Sequence, residues 1–166
     1  MRYFFVFVST MAVICSCIRT KHSSDTAPLG PGDTIPAFSV RVCDGSILSE
    51  KDFSKGDALV AFFNTACPDC QKDLPVLQEF YEEYGDSVAM LLIAREETEE
   101  SISRYWRQNN LSMPFAAQED RSVFNLFCNS GIPKIYILSE GVIQAVLDEN
   151  KYISVEFFEI AFSLGL

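Results

Sequence analysis

Cys67 and Cys70 stand three positions apart in the run Cys67-Pro68-Asp69-Cys70. A dithiol at that spacing cycles between two thiols and one disulfide, which is the chemistry of thiol-disulfide exchange. The flanking residues say where the pair sits. Ala58-Leu59-Val60-Ala61-Phe62-Phe63 is an unbroken apolar run of strand length, and Leu74, Leu77, Phe80, Tyr81 and Tyr84 recur at helical spacing after the cysteines. Strand, loop, dithiol and amphipathic helix in that order put Cys67 at a helix N-terminus, where free amides and the positive end of the helix dipole favour a thiolate. Pro68 suits the first helical position, since its missing N–H leaves nothing unsatisfied there and its φ is already helical. Cys70, one turn further in, is expected to be less exposed and less acidic. Asp69 places a carboxylate beside the dithiol and opposes the dipole. A less stabilised thiolate makes the reduced pair a better electron donor, so Pro68 and Asp69 are read as tuning the couple toward a reductant.

Four further features extend the pattern. Pro75 lies five residues after Cys70; Gly131-Ile132-Pro133 precedes the apolar run Ile135 to Leu138; Phe38-Ser39-Val40-Arg41-Val42-Cys43-Asp44-Gly45 has the form of a hairpin; and Asp73 follows Cys70 by three residues. On these motifs residues 34–166 resemble the thioredoxin superfamily. Within it they are most similar to the membrane-tethered TlpA/ResA-like thiol-disulfide oxidoreductases, with their AhpC/TSA-redoxin-like domain. The resemblance implies a thioredoxin-like three-layer α/β sandwich with an N-terminal β-hairpin extension, a helix kinked at Pro75, and a cis bond before Pro133. Such a bond would offer the Ile132 backbone to an extended partner peptide beside Cys67. It also implies roles such as reducing apocytochrome c cysteines before haem attachment or keeping other extracytoplasmic thiols reduced. The chain departs from the family in three places. Ala66 stands where a tryptophan usually precedes the first cysteine, Ala61 replaces the buried aspartate of ordinary thioredoxins, and Pro-Asp replaces the usual Gly-Pro or Glu-Pro between the cysteines.

The expected mechanism is stepwise. Cys67 thiolate attacks a partner disulfide as the nucleophile, and Cys70 then resolves the mixed disulfide. Cys70 needs a proton acceptor. Spacing of three on a helix puts Asp73 on its side, and the loss of an acid at Ala61 leaves Asp73 as the candidate; the plain alternative is an exposed helix carboxylate. Ile132 and Pro133 are the expected substrate-binding residues. No cofactor and no metal is expected.

The first sixteen residues carry a separate message. Arg2 is a short basic region, Tyr3 to Ile14 an apolar core of secretory length, and Ile14-Cys15-Ser16-Cys17 resembles a bacterial lipoprotein cleavage box. Ser16 before Cys17 is small, whereas Ile14 before Cys15 is bulky, so cleavage is expected before Cys17. The expected domains are a lipoprotein signal peptide over 1–16, a flexible tether over 17–33 and a thioredoxin-like domain over 34–166. The tether is rich in Ser, Pro and Gly and is expected to be flexible and unable to bury a core. An ordinary secretory signal or a short membrane-inserted anchor is the alternative, although a dozen apolar residues fall short of the roughly twenty that span a bilayer. The localisation expected is a bacterial membrane, held through lipidated Cys17, with the domain outside the cytoplasm, as in a periplasm.

Composition excludes other chemistries. His22 is the only histidine and lies in the tether, so a Ser-His-Asp triad, a Cys-His nucleophile pair and histidine-containing zinc centres are disfavoured together. Gln71 follows Cys70 where a c-type haem site needs histidine. The net charge of −10 argues against nucleic acid and anionic lipid headgroups as partners. The acidic runs at 82–83 and 96–100 read as solvated helix faces. Expected partners are protein thiols or disulfides and an upstream electron donor, and the expected state is a monomer. Cys43 and Cys128 stay open between a second disulfide and two buried free thiols, with a four-cysteine zinc site the remote case.

Hydrophobic patterning supplies the remaining elements. These are a hairpin over 37–43 and 46–48, strands at 58–64 and 88–94, helices at 68–84 and 97–109, and an extended piece at 115–117. A helix over 121–127, strands at 134–138 and 142–147 and a helix over 155–164 capped by Ser154 complete the chain. Three functions compete: a thiol-disulfide oxidoreductase reducing partner disulfides, a redoxin-type thiol peroxidase, and a redox-inert thioredoxin-like binding module. The peroxidase needs Thr or Ser three residues before its cysteine, where Asn64 stands.

Overall fold

The computed structural model of the chain describes residues 27–163, so Cys15, Cys17 and the expected leader lie outside the described residues. In order, the chain forms β1 (Ser39–Arg41), β2 (Ile47–Ser49), a 3₁₀ turn at Glu50–Phe53, β3 (Asp57–Phe63), α1 (Pro68–Tyr84) and β4 (Ala89–Ala94). It continues through α2 (Glu99–Asn109), β5 (Phe115–Ala116), α3 (Phe124–Phe127), β6 (Lys134–Ser139), β7 (Val142–Asp148) and α4 (Val155–Ala161). Five strands make one sheet in the order β5-β4-β3-β6-β7, and β1-β2 is a separate hairpin. Strand β3 runs parallel to β4 and antiparallel to β6.

After Asp57, strand β3 is apolar and buried from Ala58 to Phe63 because both of its faces are covered. Leu59, Ala61 and Phe63 face a core built with Leu74, Leu77 and Phe80 of α1, Ile102 and Trp106 of α2, and Phe158 of α4. Ala58, Val60 and Phe62 face a second core with Val40, Phe53, Phe124 and Phe127. Helices on one side and the hairpin with α3 on the other give the three layers. Aromatic rings fill much of both. Phe80 packs on Phe158 at 5.0 Å between centroids and Phe62 on Phe127 at 5.0 Å. Within α1, Pro75 removes the N–H that would bond the Gln71 carbonyl, which is the usual cause of a helix bend.

The edges of the expected elements move. Residues 29–33, read as the end of the tether, are fastened to the domain. Leu29 N–H donates to the Phe127 carbonyl at 2.8 Å, Gly32 N–H to Ile143 at 2.8 Å, and Leu29 packs on the second core. Thr34 forms a bridge with Val142. The helix expected at 121–127 contracts to Phe124–Phe127, and α4 ends at Ala161. The turn between β6 and β7 uses Glu140 and Gly141, both at positive φ (51° and 75°), as a two-residue hairpin turn requires. Among the described residues no helix is long and apolar enough to cross a membrane.

Candidate active site

The site lies at one edge of the sheet. The carboxyl ends of β3 and β4 and the start of β6 meet there, which is where open α/β sheets place their ligands. Cys67 is the N-cap of α1, with φ −81° and ψ 118°, and Pro68 occupies the first helical position. The Cys67 N–H donates to the Asn64 carbonyl at 3.0 Å, and its own carbonyl accepts from Gln71 N–H at 3.0 Å. The thiol is half-buried and points across to the loop before β6, where Sγ lies 3.6 Å from the Ile132 carbonyl oxygen. The Ile132–Pro133 bond is cis.

Cys70 is 1% exposed, one turn behind Cys67. Burial pushes its thiol well above the ordinary range. The hydrogen bond to Cys67 and the charges of Cys67 and Asp73 push the same way, against a hydrogen bond from the Asn64 backbone. The pair is therefore asymmetric: one sulfur meets solvent and the other is held protonated within the core. Asp73 is half-buried on the same helix. Its carboxyl is pushed up to about 6, first by burial and then by the charge of Asp69, with Lys72 opposing. A carboxyl in that range exchanges a proton near neutrality, as a base serving Cys70 needs. Asp69, Lys72 and Asp73 line a cavity of about 350 Å³ together with Val76, Glu149 and Tyr152. Asp69 pairs with Lys72, Oδ1 to Nζ at 2.7 Å, and this neighbouring cation offsets the negative charge that Asp69 lays beside the dithiol.

A carboxylate that the acidic run concealed holds the loop before Cys67. Glu97, read as part of a solvated face, is only 8% exposed. It accepts from Thr65 N–H at 2.8 Å, from the Thr65 hydroxyl, and from the Ser101 hydroxyl at 2.7 Å. Thr65 in turn accepts Gln71 Nε2–H at its carbonyl, 2.7 Å away. The sequence signal is slight: an acid immediately before Thr98, the N-cap of α2. Asn64 occupies the position a peroxidatic site gives to Thr or Ser, and its amide is committed elsewhere. Nδ2 donates to the Arg95 carbonyl at 3.0 Å and Oδ1 accepts from Ala66 N–H at 2.9 Å.

The other two described cysteines are free thiols in different surroundings. Cys128 is buried, but Cys43 is exposed at the end of the hairpin, its N–H donating to the Phe115 carbonyl at 2.9 Å, so the expectation of two buried thiols holds for Cys128 alone.

A five-stranded mixed sheet between helices, with a Cys-x-x-Cys at the head of α1 and a cis-proline loop opposite, defines a thioredoxin-fold thiol-disulfide oxidoreductase. The model of the AhpC/TSA family matches residues 31–146, and the chain belongs to that family. Among curated relatives, a protein of Bacillus cereus named thiol-disulfide oxidoreductase ResA is 22% identical over 130 residues, covering 76% of this chain and 75% of its own. Among solved structures, a putative thiol:disulfide interchange protein DsbE from Chlorobium tepidum superposes with a TM-score of 0.71 at 16% identity, over 81% of this chain and 98% of its own. StoA from Bacillus subtilis does so with a TM-score of 0.65 at 20% identity, over 78% and 98%. Both structures support the fold.

Proposed function

We propose that the protein reduces disulfides in partner proteins outside the cytoplasm, tethered to a bacterial membrane through a lipid on Cys17. The observation that carries the reading is the asymmetry of the pair: Cys67 is open beside the Ile132 carbonyl and Cys70 is sealed behind it. A partner segment lies extended along Ile132 and Pro133, pairing through its backbone. Cys67 thiolate attacks one sulfur of the partner disulfide, forming a mixed disulfide and expelling the first partner thiolate. Cys70 then gives its proton to Asp73 and attacks the Cys67 sulfur, expelling the second partner thiolate. The partner gains two electrons and two protons. The Cys67-Cys70 disulfide that remains is recharged by an upstream dithiol donor. Apolar residues before Ser16-Cys17 support the location, and the small residue before Cys17 supports lipidation there.

The experiment that tests the direction is the reduction potential of the Cys67-Cys70 couple, equilibrated against thiol-disulfide buffers and read by alkylation. A value near thioredoxin's, about −270 mV, is expected for a reductant, whereas one near DsbA's, about −120 mV, makes the protein an oxidant and overturns this direction.

A further inference from the structure

Three cations gather at the dithiol edge of a chain whose net charge is −10. Strand register brings two of them together. Phe62 pairs with Ile93 on one side and with Lys134 on the other. Lys134 has the strand parity of Tyr136 and Leu138, and Arg95, one residue past β4, has that of Leu91 and Ile93; all four apolar partners belong to the second core. Arg121 joins them from the segment before α3. The guanidinium carbons of Arg95 and Arg121 lie 5.1 and 5.2 Å from the centroid of the buried Phe124 ring. The fields of Arg95, Arg121 and Lys134 all reach the Cys128 thiol, opposing the burial that pushes it up.

These charges are partly covered, and Arg95 and Lys134 each meet one carboxylate at long range. The side chains of Arg95 and Lys134 are 21% and 15% exposed. The enclosed Nε atoms of Arg95 and Arg121 have no hydrogen-bond partner among the described residues. Glu96 approaches Arg95 Nε at 3.4 Å without a hydrogen bond, and Asp148 stands 3.9 Å from Lys134 Nζ. Arg121 donates from its terminal nitrogen to the Asn129 carbonyl at 3.0 Å. The enclosed Nε atoms are out of an incoming group's reach, so a carboxylate arriving from outside would meet the outer nitrogens of these partly exposed side chains, where a charge-assisted bond is stronger than one in bulk water.

The cluster is joined to the chemistry on two sides. The Arg95 carbonyl is bonded to Asn64, whose own carbonyl holds Cys67 N–H, and Lys134 follows Pro133 directly in the loop that faces Cys67 Sγ. Lys134 is the next residue after Pro133, so a partner peptide extended along Ile132 and Pro133 would carry a side chain about two or three residues from its cysteine toward the cluster, and that is the position to vary.

We propose that Arg95, Arg121 and Lys134 receive an Asp or Glu carboxylate of the partner polypeptide, so that the protein selects cysteines with an acidic flank. This rests on the oxidoreductase reading and names its substrate class. The test uses the full chain, reduced, and three disulfide-bonded peptides identical except for Glu, Gln or Lys at that flanking position, with the rate of peptide reduction as the readout. Net charge alone favours the Lys peptide. The site predicts the reverse order, Glu ahead of Lys by about tenfold, an advantage that high salt weakens only in part because the cations are partly covered. Arg121→Gln and Lys134→Gln are each expected to shrink the ratio of the Glu to the Gln peptide's rate measured on the same variant. Equal rates, a Lys-first order, or a Glu preference untouched by both substitutions overturns the proposal, and the order of the three peptides on the unaltered chain decides it even where a variant misfolds. If oxidised glutathione shows the same sensitivity to the substitutions as the Glu peptide, the site serves small carboxylates and the assignment to polypeptides is overturned. A chain that exchanges with none of the peptides overturns the oxidoreductase reading itself.

Discussion

At Cys67 and Cys70 the same chemical group is given two environments, and each predicts a different mutant. Removing Cys67 removes the reachable sulfur, so Cys67→Ser is expected to abolish exchange with protein disulfides. Removing Cys70 leaves attack intact and deletes resolution. Cys70→Ser is therefore expected to accumulate partners on Cys67, visible as reductant-sensitive adducts by gel or mass spectrometry. Failure to trap any partner would favour a binding module whose dithiol is structural. Asp73 adds a pH signature. Its folded-state carboxyl, at about 6, lies above the ordinary 3.8. The protonated form is thus favoured by folding, and that contribution is full below pH 3.8 and lost as pH rises through about 6. Urea midpoints of the wild type are expected to fall relative to those of Asp73→Asn across that window. The rate of resolution is expected to climb through the same window in the wild type, as the base form appears, and to lose that limb in Asp73→Asn.

At the scale of elements, the position of the dithiol depends on what secures the ends of α1, α2 and α4. Glu97 ties the Thr65 loop to the start of α2 with three accepted hydrogen bonds. Glu97→Ala strands the buried Thr65 N–H and is expected to cost about 1–3 kcal/mol by chemical denaturation, with a slower Cys67 as the loop loosens. Ser154 caps α4 through its hydroxyl, which accepts from Phe157 N–H at 3.1 Å. Ser154→Ala is expected to cost about 1 kcal/mol. These two residues mark how far a single sequence can be read. Ser154 was legible because a cap is local: a hydroxyl, then a helical pattern. The apolar run of β3 and the spacing of Cys67, Pro68 and Cys70 were legible for the same reason. Glu97 was not, because its neighbours Glu96, Glu99 and Glu100 are exposed and only its meeting with Thr65, thirty-two positions earlier, buries it. The fastening of Leu29 to Phe127 was hidden likewise, in a stretch whose Pro and Gly argue locally for a linker.

Across the whole molecule, both cores lean on one sheet, so the site's geometry is only as firm as the packing on either side of it. Phe80 is fully buried among Tyr84, Phe158 and Phe162, joining α1 to the last helix. Phe80→Ala is expected to cost about 3–5 kcal/mol, measured as a lower denaturant midpoint, because the ring's contacts are lost and the cavity closes only in part.

The sealing of Cys70 also governs traffic. In the proposed reductase role the oxidised pair presents one sulfur to the outside after each turnover, so the donor that recharges it and the client that discharges it would call at the same doorway, one after the other. Neither can wait on the protein while the other is served. In that role an excess of client sits on the oxidised form and shuts out the donor, an excess of donor sits on the reduced form and shuts out the client, and the flow of electrons is greatest when neither is in large excess.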